Sequence, residues 1–302
     1  MEYPILKMNQ VVKQYGNHTA VDAVSFEVPK GSVFGLLGPN GAGKTSLIRI
    51  ITTITRADSG VIELEGQLLN SSHPEQIGYM PEERGLYKKM KVGAHLIYLA
   101  RLKGLSKQQA KEAIGNWMEK FEITDWWNKK VEELSKGMQQ KVQFIATVVH
   151  EPKLLILDEP FSGLDPINTN LIKEEIRSLH KKGTSIIFST HRMEQVEEIC
   201  ENILLINRGK VLLTGSVKEV KNQFKLNHFE IGFEGELPTE LSNQLEVVRQ
   251  ENNKAVVKLP AEMSPSTLLK KAVQTGLDIR SWNEMLPSLN EIFIRQVENN
   301  HG

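Results

Sequence analysis

One cysteine, Cys200, is all that 302 residues contain, so no internal disulfide can form. It stands beside Ile199 in a helical pattern, which reads as an inert, partly buried thiol rather than a redox centre. An excess of either charge is also missing: Lys+Arg and Asp+Glu each total 37. A dominant nucleic-acid footprint is basic, so no nucleic-acid partner is expected. No stretch approaches the roughly 18 apolar residues of a membrane span. Met1-Glu2-Tyr3-Pro4 has no basic segment followed by an apolar core, so no secretory signal is expected. Internal repeats and low-complexity tracts are lacking too. These absences point to a soluble cytoplasmic chain, long enough for one large α/β domain and a smaller second one.

What is present centres on Gly38-Pro39-Asn40-Gly41-Ala42-Gly43-Lys44-Thr45, which matches the phosphate-binding pattern G-x-x-x-x-G-K-[ST]. A short apolar run at 32–37 precedes it as a buried strand. The segment from Ser46 onward has helical composition to about residue 54. That context gives the motif its meaning. Glycines let the backbone turn tightly and bring N–H groups to phosphate oxygens, while the helix points its positive end at the same anion. Lys44 is then placed for the terminal phosphates and the Thr45 hydroxyl for Mg²⁺. The expectation is a nucleotide site.

Along the chain, strands are expected at 5–12, 19–28, 33–37, 61–64 and 77–80. A helical stretch follows from about 92 to 150. Then come a strand at 154–157, a helix at 167–182, a strand at 185–188 and a helix at 193–201. Such alternation implies a mainly parallel sheet covered by helices. After about residue 214 the character changes. A short helix at 217–224 leads to a βββαβα segment with strands at 228–233, 245–249, 254–259 and 277–282 and helices at 265–274 and 287–297. Its alternating strands predict a small α+β domain with its own core.

The strand Leu154-Leu155-Ile156-Leu157 delivers Asp158 and Glu159 at its C-terminal end, where ligands bind in open α/β sheets. Asp158 suits a Mg²⁺ shell and Glu159 an acceptor for the proton of an attacking water. Ahead of it, Leu134-Ser135-Lys136-Gly137-Met138 opens a helix, with Ser135 in an N-cap position and Gly137 permitting close backbone approach to a phosphate.

Here the sequence resembles the ATP-binding subunits of ABC transporters, whose signature begins Leu-Ser-Gly-Gly-Gln. Further motifs keep that family's order: Ser162-Gly163-Leu164-Asp165 resembles the loop that crosses to the opposite subunit. Phe188-Ser189-Thr190-His191 ends a strand with a histidine, similar to the family's switch histidine that contacts the terminal phosphate, and Tyr15 resembles the aromatic that stacks on adenine. The resemblance covers residues 1–215 and implies an α/β fold, a P-loop NTPase of ABC type with an antiparallel β subdomain and a helical subdomain at about 84–150. A linker helix at 216–226 then joins the small C-terminal α+β domain at 227–302. It implies ATP and Mg²⁺ as cofactors, with ATP held by Tyr15, residues 38–46 (Gly38 to Ser46) and Ser135 and Gly137. Lys44, Glu159 and His191 would be catalytic, and Thr45, Asp158 and Glu82 would face the metal. It implies two such subunits, the same or different, facing head to tail beneath a separate polytopic membrane subunit, with the chain peripheral on the cytoplasmic face. Tyr87, Met90 and the Trp126-Trp127 pair are candidate docking contacts, the two tryptophans suiting the helical subdomain's own core at least equally well.

Two departures stand out. Glu82 occupies the position where the family has glutamine, and Lys136 and Met138 replace glycine and glutamine in the signature. Glu82-Glu83-Arg84-Gly85-Leu86-Tyr87, the altered signature and the C-terminal domain together resemble the subfamily associated with sodium-type or antibiotic efflux. The alternative is a soluble ATPase of the same type acting on ribosomes or DNA; a non-hydrolysing regulatory subunit is a third possibility.

Overall fold

The structure, a computed structural model, describes residues 3–83, 85–238, 241, 245–260 and 262–299. Arg84 lies outside the described residues. The chain forms two compact units, Met1–Val217 and Lys218–Gly302.

The first unit is built on three strands that are buried along their whole length: β3 (Val33–Leu37), β7 (Leu154–Asp158) and β8 (Ser185–Thr190). Continuous apolar runs without alternation are what a parallel sheet covered on both faces demands. With β6 (Ile77–Met80), β9 (Asn202–Asn207) and β10 (Lys210–Ser216) they form a sheet of order β10-β9-β3-β8-β7-β6. Its ladders are parallel except for β10, which folds back on β9. The helices α1 (Lys44–Ile51), α5 (Pro166–Lys181) and α6 (Met193–Ile199) belong to this layer. Helix α6 packs so closely on β3 that a Cβ at Gly35 would lie 2.9 Å from Val196 Cγ1.

An antiparallel sheet of order β2-β1-β4-β5 is formed by β1 (Leu6–Tyr15), β2 (His18–Val28), β4 (Ser59–Leu64) and β5 (Gln67–Leu68). Its inner residues Leu6, Val21, Phe26 and Leu64 share one core with Phe34, Leu47, Ile48 and Ile187. Phe26 stacks on Phe34 at 5.6 Å.

The helical region consists of α2 (Val92–Leu102), α3 (Lys107–Lys120) and α4 (Lys136–Val148), joined by short 3₁₀ turns. Helix α3 begins with a full capping box, Ser106 accepting from Gln109 N and Gln109 Oε1 accepting from Ser106 N.

In the second unit, α7 (Val217–Gln223) leads into an antiparallel sheet of order β12-β13-β11-β14. Its strands are β11 (His228–Glu234), β12 (Glu246–Glu251), β13 (Lys254–Lys258) and β14 (Asp278–Met285). Helices α8 (Pro265–Gln274) and α9 (Leu289–Asn299) complete it. Its core joins Phe229, Ile231, Val257, Leu268 and Ala272.

The structure corrects the sequence reading in three places. Strands β9 and β10 were not expected, yet β9 pairs directly with β3. Helix α1 stops at Ile51, because Thr52 turns its hydroxyl back onto Ile48 O and Thr53 adopts φ +59°. Trp127 is half-buried: its ring packs on α2, where a Cβ at Gly93 would come within 2.4 Å of it. Trp126 is half-buried as well. Cys200 is buried, and burial pushes its thiol well up, in keeping with an inert role.

Candidate functional site

The phosphate-type loop joins the C-terminal end of β3 to α1, the edge at which open α/β sheets bind ligands. Two of its glycines are demanded by the protein itself. At Gly38, φ is +156° and a Cβ would lie 2.2 Å from Ile206 O; at Gly43, φ is +111° and a Cβ would lie 2.4 Å from Ala20 O. Gly41 has φ +78° with open space where a Cβ would stand. Helix α1 has no side-chain cap at Gly43 and no acid in its first turn, so its leading N–H groups are left for an anion.

Lys44 is buried, and its ammonium donates to Gly38 O at 2.7 Å and Pro39 O at 3.2 Å, tying the loop to its own helix. Burial lowers its pKa, against the charges of Glu159, Asp158 and Glu82. Asp158, also buried, accepts from Ser189 Oγ at 2.7 Å. Burial raises its carboxyl above the usual range, against the pull of Ser189 and Lys44. One buried ammonium thus faces three carboxylates, an imbalance that favours a further cation.

Glu159 stands at φ +48°, a conformation rare for a non-glycine residue. This kink interrupts the alternation of β7, and both acids line the same cleft. The Glu159 carboxylate is held at the end of β8. Thr190 Oγ1 donates to Oε2 at 3.0 Å, His191 N donates to Oε1 at 2.8 Å, and His191 Nδ1 lies 2.6 Å from Oε1.

The cleft measures about 390 Å³ and brings together Tyr15, Asn40–Ser46, Glu82, Asp158 and Glu159. Tyr15 is exposed at the end of β1, with the Lys13 ammonium 5.4 Å from its ring. Gly38 and Pro39 support the loop from beneath through Lys44. His191 reaches the site through Glu159.

Ser135 and Gly137 are not among the residues of this cleft. Ser135 caps α4, its Oγ accepting from Met138 N at 3.3 Å. Gly137 has neither a positive φ nor a crowded neighbour, the nearest atom to a Cβ being Leu164 Cδ2 at 3.8 Å. Lys136 is exposed.

Four features escaped the sequence reading. Ser189 and Thr190, read only as the run before the histidine, are what hold the two acids. His18 and Ala20 line the cleft from β2. Three glutamines of α4 connect the site: Gln139 Nε2 braces Leu134 O at 3.0 Å, Gln140 Nε2 donates to Pro160 O at 2.9 Å, and Gln143 Nε2 donates to Pro81 O at 2.8 Å. Their amides link the Ser135 helix to the turn after Glu159 and to the Glu82 loop. The Lys13–Asp58 pair beneath Tyr15, at 2.7 Å, is the fourth.

Does the donor set suit ATP and Mg²⁺? The glycine cradle, the uncapped helix and Lys44 suit phosphates. Among the described residues no group of three or more His, Cys, Asp or Glu side chains forms a metal cage. The cleft carboxylates Asp158 and Glu82, with the Thr45 hydroxyl, suit Mg²⁺, which is usually held by one or two carboxylates while phosphates and water complete its shell.

Residues 21–162 match the family model described as ABC transporter, and residues 215–297 match the C-terminal domain of DrrA1-3-like ATP-binding proteins. An uncharacterised ABC transporter ATP-binding protein of Bacillus subtilis strain 168, YhaQ, is 45% identical over 293 residues, 97% of this chain and 98% of its own. The linearmycin resistance ATP-binding protein LnrL of the same strain is 34% identical over 215 residues, 70% of this chain and 69% of its own. A solved ATP-binding subunit of an ABC transporter superposes with a TM-score of 0.69 at 29% identity, covering 73% of this chain and 93% of its own.

Proposed function

The chain belongs to the ABC transporter ATP-binding proteins, and from that premise we propose that it powers export through a separate membrane subunit by ATP-driven closure of two ATP-binding subunits. The observation that carries this is the division of the site. Lys44, Asp158 and Glu159 share one cleft, whereas Ser135 and Gly137 lie outside it. Gly137 has no conformational or packing need within its own chain. A second subunit facing head to tail gives both residues a purpose, completing each cleft with the Ser135 cap and the bare Gly137 backbone of its neighbour. A homodimer is the simplest such pair.

In this reading the amides of residues 41–45 and Lys44 bind the phosphates, and Tyr15 stacks on the adenine. Thr45, Asp158 and Glu82 would hold Mg²⁺, which when bound neutralises charge between the phosphate oxygens. Glu159 orients the attacking water and takes its proton as the terminal phosphorus–oxygen bond breaks. Its carboxylate is engaged by Thr190 and His191. Among the described residues Oε2 accepts only from Thr190, which leaves it a further acceptor site for the water, while His191 steadies Oε1. Catalysis is chiefly positioning and fixed charge. Loss of that phosphate removes the bridge between subunits, and the pair reopens.

No helix among the described residues is long and apolar enough to cross a membrane. In this reading the path for cargo belongs to another polypeptide, and this chain works peripherally on the cytoplasmic face. Efflux is favoured by the roles for which relatives are named, linearmycin resistance and Nod factor export among them. The test is to tag the chain, solubilise membranes gently and identify what co-purifies in stoichiometric amount. A polytopic membrane protein is expected. Ribosomes or DNA-associated proteins in its place would overturn the proposal.

A further inference from the structure

Strand β1 carries Tyr15 past the regular part of its own ladder. Its pairing with β4 stops at Val12–Ser59, short of Tyr15. Its pairing with β2 shifts register between Val11 and Lys13 and again between Lys13 and Gln14, and each shift interrupts the ladder. One residue makes good the loss. Asp58, in the connection from α1 to β4, donates its N–H to Val12 O at 2.9 Å and accepts from Gln14 N at 2.7 Å through Oδ2. Its Oδ1 accepts from Lys13 Nζ at 2.7 Å. The ammonium first, and then the Gln14 amide, hold the Asp58 carboxyl below the usual range.

Lys13 is thereby fixed over the ring of Tyr15, its ammonium 5.4 Å from the centroid. Its side chain is only 14% exposed, so this charge does not swing free in solvent. Tyr15 lines the cleft and Lys13 does not. The ring therefore stands between the ammonium and the cleft, one face on the cation and the other open. A base laid on the open face gains twice. Aromatic faces carry negative charge, and a cation behind one of them draws electron density away and eases the repulsion of stacking. A ring already held also loses less rotamer freedom on binding. Both effects act on the base, whereas the phosphates belong to the loop at 41–45.

We propose that Lys13 and Asp58 are positioning residues for base recognition: Asp58 locks the end of β1 and the Lys13 ammonium, and the ammonium sets the Tyr15 ring as a stacking platform for a purine. The inference rests on the reading of Tyr15 as the adenine contact and adds the pair that acts through it. Because Asp58 follows α1, the same brace ties the base end of the site to the helix that carries Lys44 and Thr45.

The test measures binding to the full chain by calorimetry with two probes that undergo no turnover. ADP offers base and phosphates; inorganic pyrophosphate offers phosphates alone. Lys13→Met keeps the aliphatic stem and removes the charge. It should weaken ADP roughly threefold to tenfold while pyrophosphate affinity stays within about 1.5-fold. Asp58→Asn should act in the same direction on ADP alone. Lys13→Arg, which keeps the cation and the ion pair, should hold ADP within about twofold. A damaged fold, or simple loss of charge attraction, would weaken both probes together. Equal loss of both probes, unchanged ADP affinity in Lys13→Met, or no rescue by Lys13→Arg would overturn the proposal. Tyr15→Ala separates the two levels. If it leaves ADP affinity unchanged, Tyr15 is no base contact, and the underlying reading fails with this inference. If it weakens ADP while Lys13→Met does not, this inference alone fails.

Discussion

In the proposed reading, Glu159 carries the proton transfer of hydrolysis. Its φ of +48° is a strained conformation for a glutamate, and the three contacts from Thr190 and His191 hold it there. Because the amide of glutamine cannot take a proton from water, Glu159→Gln is expected to keep ATP affinity while steady turnover falls by about 10²-fold or more. A trapped closed dimer should accumulate. Phosphate release measured beside nucleotide binding checks this, and normal turnover would remove Glu159 from the base role. His150 carries a different prediction. Burial and the Lys103 charge lower its pKa to about 4, against the Ile77 carbonyl, from an ordinary 6.5. Between those values the unfolded chain binds a proton that the folded chain refuses. The contribution to stability is therefore complete above about pH 6.5 and is lost as pH falls toward 4, on the order of 3 kcal/mol at most. Denaturant unfolding at pH 8 and pH 5 should show the loss, and His150→Gln should shrink the difference.

Helices α3 and α4 provide a matched comparison at the scale of elements. Ser106 and Ser135 both cap a helix, each accepting an N–H at 3.3 Å. Alanine at either should cost about 1 kcal/mol of stability. Only Ser135→Ala is expected to lower turnover, by roughly tenfold or more, since only its hydroxyl is assigned to the facing subunit's phosphate. Equal turnover in the two variants would leave Ser135 as nothing more than a cap. The order of strands explains why part of this site was hidden. The run 203–206 is as apolar as any strand, but its value lies in pairing with β3 and in pressing Ile206 O against Gly38. That contact joins segments far apart in sequence, and local periodicity carries no sign of it. The glutamines of α4 were invisible for a similar reason: their partners, Pro81 and Pro160, come from two other segments.

The whole molecule consists of two units, each with its own core. Every residue assigned to the nucleotide site lies in the first. Removing residues 225–302 should therefore leave nucleotide binding intact, while self-association or its control over turnover weakens. Sedimentation at several concentrations with and without ATP, beside phosphate release, checks this. Unchanged association and unchanged activity would retire a dimer or regulatory role for the second unit.

The residues of the candidate cleft could be picked out from the sequence because the determinants of that cleft are local. A glycine loop between strand and helix, two acids at a strand end and a serine before a helix are each set by neighbours within a few residues. The βββαβα order of the second unit was legible for the same reason, since alternation and turn residues act over short spans. Only the tertiary structure decided the rest: the placement of β9 beside β3, the anchoring of Glu159 by Thr190 and His191, and the packing of Trp127 on α2. These depend on which distant surfaces meet. Close approach, burial and charge balance arise when remote segments pack, and periodicity along one chain does not encode them.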